Sequence, residues 1–222
     1  MDALQIARMI DHTNLKRDVT NEKMLVTINE CKKYHFHTIA VNSCQSKFCA
    51  DNLKETDTFV SAAIGFPLGQ TSIEAKLFET KNAIENGATE IDYVINVGEV
   101  KNGNYDYFES EMKQMVELCH QYNVPVKAIL ECNYLNSNEL TRLCELSLKY
   151  KPDFLKTSTG FESVATLEDV KLMKSIVKDE IEIKAAGGIK TLEQLLKFYE
   201  VGATRFGTSS GVSIIEEFND VK

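Results

Sequence analysis

Short apolar runs and amphipathic stretches of helical period alternate along the whole of this chain. Runs of strand length fall at Met9–His12, Thr38–Asn42, Phe59–Gly65, Glu90–Asn96, Val124–Glu131, Phe154–Thr159, Glu182–Ala186 and Thr204–Gly207. Between them, apolar residues recur at three- and four-residue steps. That period predicts helices over Asn21–Lys33, Ile73–Asn86, Tyr105–Gln121, Glu139–Lys149, Leu167–Val177 and Leu192–Val201. Three helix starts carry a hydroxyl followed three residues later by an acid or amide: Thr71-x-x-Glu74, Thr166-x-x-Asp169 and Thr191-x-x-Gln194. Gly87 and Gly202 stand where helices should end.

Successive strands lie about one βα unit apart, and no Pro/Ser-rich linker or charge block divides the series. Eight such units in 222 residues predict a single-domain (β/α)8 TIM barrel, α/β in class, spanning residues 1–222. An open doubly wound sheet is the runner-up, but it calls for a glycine-rich loop after the first strand. Here that place reads Asp11-His12-Thr13-Asn14, without glycine. In a barrel, catalytic groups gather at the C-terminal ends of strands, and phosphate binds near the loops after strands 7 and 8.

Charge and composition narrow the partners. A formal charge of -8 with acids and bases interspersed argues against nucleic acid as a partner. No apolar run is long enough to cross a membrane, and the N-terminus lacks a signal-peptide core, so a cytoplasmic location is expected. The six cysteines form no CxxC pair and suit free thiols in a reducing compartment. His12, His35, His37 and His120 are scattered, one in a turn and three expected at the surface, so no metal and no cofactor are expected.

Two lysines stand out against this background. Lys156 lies in Asp153-Phe154-Leu155-Lys156-Thr157-Ser158-Thr159-Gly160, and Lys184 in Glu182-Ile183-Lys184-Ala185-Ala186-Gly187-Gly188. Lysine is seldom buried, because an unpaired ammonium is costly to desolvate. A lysine at its ordinary pKa of about 10.4 is neutral in only about one molecule in 2,500 at pH 7, and bringing it to about 7 takes roughly 4.6 kcal/mol. Burial and a neighbouring ammonium can supply that, and the resulting amine attacks carbonyl carbon to give a Schiff base. Strand alternation that turns Ile91 and Ile183 toward the helices turns Asp92 and Lys184 into the barrel. Lys156 and Lys184 then line neighbouring strands, with Asp92 two strands away as a candidate for proton transfer. Lys127 and Glu131, on one face of the fifth strand, could join the same polar cluster. The competing arrangement leaves both lysines on strand rims, paired with Asp153 and Glu182.

Glycines and hydroxyls define the other end of a substrate. Gly187-Gly188 follow the seventh strand, and Gly207-Thr208-Ser209-Ser210-Gly211 follows the eighth and runs into a helix start. Such loops bring backbone N–H groups and hydroxyls to phosphate oxygens. Asp11, at the end of the first strand, is either a helix cap or a polar contact to substrate or to Lys184.

Taken together, Ile10-Asp11-His12-Thr13, Ile64-Gly65-Phe66-Pro67-Leu68-Gly69, Glu90-Ile91-Asp92-Tyr93-Val94-Ile95-Asn96, Phe154-Leu155-Lys156-Thr157-Ser158-Thr159-Gly160, Lys184-Ala185-Ala186-Gly187-Gly188-Ile189 and Gly202-Ala203-Thr204-Arg205-Phe206-Gly207-Thr208-Ser209-Ser210 closely resemble the deoxyribose-phosphate aldolase family of Schiff-base (class I) aldolases. The resemblance covers nearly the whole chain. It implies a cytoplasmic barrel enzyme, often a homodimer, that needs no metal and serves deoxynucleoside breakdown. It implies Lys156 as the Schiff-base residue with Asp92 and Lys184 as the proton-transfer pair. Asp11, Thr13, Lys127, Thr159, Gly160, Gly187, Gly188, Gly207, Ser209 and Ser210 are the expected substrate contacts. Two departures stand out: Ala40 replaces a cysteine common in the second strand, and the chain stops at Asn219-Asp220-Val221-Lys222, without the terminal tyrosine of some relatives.

The expected reaction is reversible cleavage of 2-deoxy-D-ribose 5-phosphate to D-glyceraldehyde 3-phosphate and acetaldehyde. The alternatives are a Schiff-base aldolase or transaldolase on another sugar phosphate, and a non-catalytic phosphosugar-binding barrel.

Overall fold

The computed structural model of the protein describes residues 1–220. Eight parallel strands close on themselves in chain order: β1 Ile10–Asn14, β2 Thr38–Asn42, β3 Phe59–Ile64, β4 Glu90–Val94, β5 Val126–Ile129, β6 Phe154–Lys156, β7 Glu182–Ala186 and β8 Arg205–Thr208. Ten helices accompany them: α1 Ala3–Ala7, α2 Asn21–Tyr34, α3 Ser46–Asn52, α4 Ile73–Glu85, α5 Val97–Lys101, α6 Tyr105–Gln121, α7 Ser137–Tyr150, α8 Leu167–Val177, α9 Leu192–Glu200 and α10 Gly211–Asp220. This is the expected (β/α)8 barrel. Among the described residues no helix is long and apolar enough to cross a membrane.

Strand alternation divides the molecule into two interiors. Ile91, Tyr93, Leu155, Ile183, Ala185 and Phe206 face outward into the apolar layer between barrel and helices, where all are fully buried. Their neighbours Glu90, Asp92, Lys156, Lys184 and Arg205 therefore face inward. The register sets Lys156 opposite Lys184, Lys184 opposite Arg205, and Asp92 opposite Lys127. A run of charged residues that would fail in an oil-like core is thus sorted into the centre of the barrel.

The local differences from expectation have local causes. α4 is capped by Ser72, not Thr71; the Ser72 hydroxyl accepts from the Ala75 N–H. Thr166 and Thr191 cap α8 and α9 as expected, the latter in a complete capping box with Gln194. β5 stops early because Glu131 adopts a left-handed backbone, φ 45°, and turns the chain into a 3-10 turn. β4 stops at Val94 because the Asn96 side chain caps α5. Helices α1, α3 and α5 have five to seven residues, too few for periodicity to register.

One buried ion pair pins the end of β4 from outside the barrel. Lys76 on α4 donates to Glu111 on α6 at 2.5 Å and to the Val94 carbonyl at 2.7 Å, while Glu111 accepts from the Asn96 N–H. Neither side chain reaches solvent. Burial pushes the Glu111 carboxyl up and the Lys76 ammonium down, each against the pull of the other. Lys76→Met strands the carboxylate in an apolar layer and should cost about 3–5 kcal/mol in urea denaturation. Lys76→Met/Glu111→Leu should recover much of that loss. A single-variant loss under about 1 kcal/mol would show that the pair does not hold α4 and α6 to the barrel.

Candidate active site

At the C-terminal end of the barrel a cavity of about 740 Å³ opens between the βα loops. Its wall includes Thr13, Thr159, Gly160, Gly187, Gly188, Gly207, Ser209 and Ser210, all expected from the sequence, together with Lys156. Ala40 also lines it, so a methyl group stands where relatives were expected to carry a thiol. Of the remaining nearby thiols, Cys44 is exposed and Cys132 buried, and neither lines the cavity.

Lys156 is the one charged side chain of the barrel interior that meets this cavity. Its Nζ donates at 2.8 Å to Asp92 Oδ2, and Lys184 Nζ donates to the same oxygen at 2.7 Å. The other oxygen of Asp92 accepts from Ser61 Oγ at 2.8 Å and pairs with Lys127 Nζ at 2.9 Å. Burial alone would raise the Asp92 carboxyl, but the surrounding ammoniums hold it well below the usual carboxylate range. Asp92 sits two strands from Lys156, yet the barrel's curvature brings Asp92 and the three lysines to one point.

Lys156 is 4% exposed, and burial brings its pKa down to about 8, helped by the Lys184 and Lys127 ammoniums and opposed by Asp92. About a tenth of the side chains are then neutral at pH 7, against about one in 2,500 for a free lysine. The competing rim arrangement is overturned: Asp153 bonds His120 and the Val126 N–H, and Glu182 accepts from Thr204.

Two expected substrate contacts lie elsewhere. Asp11 and Lys127 are completely buried beneath the Lys156 layer, and neither lines the cavity. Asp11 lies within β1, so it caps no helix; it accepts from Lys184 and, at 3.0 Å, from Arg205. These cations hold its carboxyl well below the usual range despite burial. Lys127 is paired with Glu90 at 2.5 Å as well as with Asp92; the two carboxylates outweigh burial and push its pKa up. Glu131 does not enter this network and instead accepts from the Ser163 hydroxyl and the Thr159 N–H.

Sequence reasoning passed over Arg205, Glu90 and His37, which form the lower storey. Arg205 Nη1 lies 3.0 Å from Asp11 Oδ1, 2.9 Å from His37 Nδ1 and 3.5 Å from Glu90. Potential metal-ligand atoms of Asp11, His37 and Glu90 lie within 4.8 Å of one another, and the Arg205 guanidinium occupies the space between them. The available signal was spacing: Arg205 stands two residues before Gly207 on the inward face of β8. The histidines also differ from expectation. His12 is buried in β1 and bonded to Glu30 at 2.7 Å, and His37 is only 19% exposed. Burial and the Arg205 charge take His37 down to about 4.

The end of the cavity beyond β7 and β8 is built from backbone turns. Gly188 has φ +80°, which L side chains rarely adopt, and a Cβ there would press on Val164 at 3.1 Å. At Gly207 a Cβ would come within 2.9 Å of Ala186 and 3.3 Å of Lys184 Cε, so this glycine leaves Lys184 room to cross the barrel. Ser209 and Ser210 stand just before the N-terminus of α10, where the helix dipole favours an anion. Lys16, Arg17 and Lys190 add positive charge at the mouth, which the sequence alone did not single out.

The chain is similar to known proteins along nearly its whole length. The chain matches the model of the DeoC/LacD family aldolases over residues 5–216. It is 53% identical to a deoxyribose-phosphate aldolase of Lactobacillus acidophilus over 95% of this chain and 89% of that protein. It is 45% identical to the deoxyribose-phosphate aldolase of Thermococcus gammatolerans, over 97% of each. A solved structure described as a tetrameric deoxyribose phosphate aldolase from Aeropyrum pernix superposes with a TM-score of 0.91 at 28% identity, over 99% of this chain and 93% of that one. A lysine-floored cavity in a complete barrel and likeness along nearly the whole length lead to one conclusion: the chain belongs to the DeoC/LacD family of aldolases.

Proposed function

We propose that this barrel cleaves 2-deoxy-D-ribose 5-phosphate reversibly to D-glyceraldehyde 3-phosphate and acetaldehyde through a Schiff base on Lys156. The observation that carries the reading is the shared Asp92 oxygen, which holds the cavity-facing Lys156 and the buried Lys184 side by side. The enforced closeness of a second ammonium favours the neutral amine at Lys156.

In this reading neutral Lys156 attacks C1 of the open-chain sugar, and loss of water gives an iminium. The iminium withdraws electrons, so the C2–C3 bond weakens as the C3 hydroxyl gives up its proton. Asp92 and Lys184 form the proton-transfer pair, acting through water. Asp92 is held strongly anionic by its donors, so it carries a proton only transiently and returns it. Glyceraldehyde 3-phosphate leaves, the enamine is protonated at C2, and hydrolysis frees acetaldehyde and the lysine. The turns carrying Gly187, Gly188, Gly207, Ser209 and Ser210 take the phosphate, and Thr13, Thr159 and Gly160 flank the sugar. Phosphate binding then holds C1 against the amine. Asp11 and Lys127 act one layer down, by positioning Lys184 and Asp92.

Neither a metal nor an organic cofactor enters these steps. A cytoplasmic role in deoxynucleoside breakdown suits six unpaired cysteines, and the family resemblance favours a homodimer.

Borohydride reduction in the presence of acetaldehyde should leave an ethyl group on the peptide containing Lys156. The trapping rate should rise with pH through about 8, where the amine becomes neutral. An adduct on another lysine, or none, would overturn this reading.

A further inference from the structure

The charged groups inside the barrel form one connected set. Asp92 pairs with Lys156, Lys184 and Lys127; Lys184 continues to Asp11; Asp11 continues to Arg205; and Arg205 and Lys127 meet again at Glu90. Six of these seven residues are buried, and the side chain of Arg205 is 11% exposed. The set contains four bases, Lys127, Lys156, Lys184 and Arg205, and three acids, Asp11, Glu90 and Asp92. Net charge sealed from water is far costlier than net charge at a surface. With every lysine protonated the set carries one positive charge too many; with one lysine neutral it balances.

The geometry also selects which base gives up its proton. Lys127 is paired with two carboxylates, Glu90 and Asp92, and Lys184 with two, Asp11 and Asp92. Arg205 also pairs with two, and a guanidinium does not deprotonate in proteins. Lys156 has one carboxylate partner, and shares that oxygen with Lys184. It is also the member that lines the cavity, where a released proton can leave.

Resting on the imine reading above, we infer that Arg205 is a positioning residue for the reaction: as the fourth cation, acting through Asp11 and Glu90, it makes the neutral amine of Lys156 the electrically balanced state of the barrel interior. Arg205 lies at the opposite end of the network from Lys156 and does not line the cavity.

The other titratable groups around the network do not alter the count. Glu131, beyond β5, is bonded to Ser163 and Thr159 and forms no ion pair with any of the four bases, so it lies outside the paired set. His37, packed against Arg205, is uncharged at neutral pH. Glu182, beside Arg205 on the next strand, is exposed and bonded to Thr204. His12 is paired with Glu30 at the cavity wall. Lys16, Arg17, Asp18 and Lys190 at the mouth are exposed, where water screens them.

The test is the pH dependence of imine trapping by acetaldehyde and cyanoborohydride, followed on the Lys156 peptide by mass. Arg205→Gln leaves the interior one charge negative when Lys156 is neutral, so the acidic limb should move up by about one pH unit. Arg205→Lys keeps the cation and should leave the limb in place. Glu90→Gln removes an anion and should move it the opposite way, to lower pH. Opposite displacements from the two neutral variants are what a general loss of structure would not produce. If Arg205→Gln does not fold, the downward shift in Glu90→Gln decides alone. Limbs that stay put, or that move in the same direction, while Lys156 still carries the adduct, overturn this inference and leave the aldolase reading standing. No adduct on Lys156 in the parent overturns both.

Discussion

Lys156→Arg should abolish aldol cleavage, with kcat falling at least about 10⁴-fold, the scale seen when an enzyme's covalent nucleophile is removed. Arginine keeps a cation beside Asp92 but stays charged at any accessible pH, so it has no free pair for a carbonyl carbon. The substitution separates two roles of the position. If Lys156 served only to neutralise Asp92, its oxygen would still find a partner in arginine, and activity would largely survive. If the amine forms the imine, both turnover and borohydride trapping vanish while circular dichroism and denaturation midpoint change little. Lys156→Met provides the neutral control and should be equally inactive. Residual turnover above about 1% in either variant, or an adduct appearing on Lys184, would reassign the nucleophile.

The second large effect concerns the phosphate end. Gly188 is a poor probe, because φ +80° and the nearby Val164 would mix backbone strain with charge. Ser209 avoids that difficulty: it is exposed, it lines the cavity, and it stands beside the N-terminus of α10. Ser209→Asp should raise KM for 2-deoxyribose 5-phosphate at least about tenfold, which corresponds to about 1.4 kcal/mol. Cleavage of unphosphorylated 2-deoxyribose should change far less, since that sugar brings no charge to repel. Ser209→Asn, matched in size and uncharged, should fall between the parent and the aspartate variant. The discriminating quantity is the ratio of kcat/KM for the two sugars. Equal losses on both would place the phosphate elsewhere or show that the βα loop had been disturbed.

Much of the barrel was legible because its information is local. Strand alternation at Glu90–Val94 and Glu182–Ala186, with isoleucines on one face and charges on the other, shows which side chains turn inward before any contact is known. Helix periods predicted six helices, and hydroxyl caps marked α8 and α9 correctly. The same rule misplaced the start of α4 by one residue, because Thr71 and Ser72 are adjacent and either hydroxyl could cap. Short helices escaped notice for want of a full period. Glu131 read as the end of a strand because nothing in its neighbours announces a left-handed turn.

The sequence by itself determined a barrel of eight βα units, an inward Lys156, Lys184 and Asp92, and glycine-serine turns after the last two strands. Those properties follow from side-chain period and from the chemistry of single residues. Only the tertiary structure decided who pairs with whom. Strands 4 and 6 are not neighbours in the sheet, yet closure of the barrel lays one Asp92 oxygen between Lys156 and Lys184. Closure also joins β8 to β1, so Arg205 reaches Asp11 across the two ends of the chain. It likewise sealed Asp11 and Lys127 beneath the cavity, where the sequence reading expected them to contact substrate. Pair distances across a closed sheet depend on curvature and register summed over all eight strands, a global quantity that no local pattern encodes.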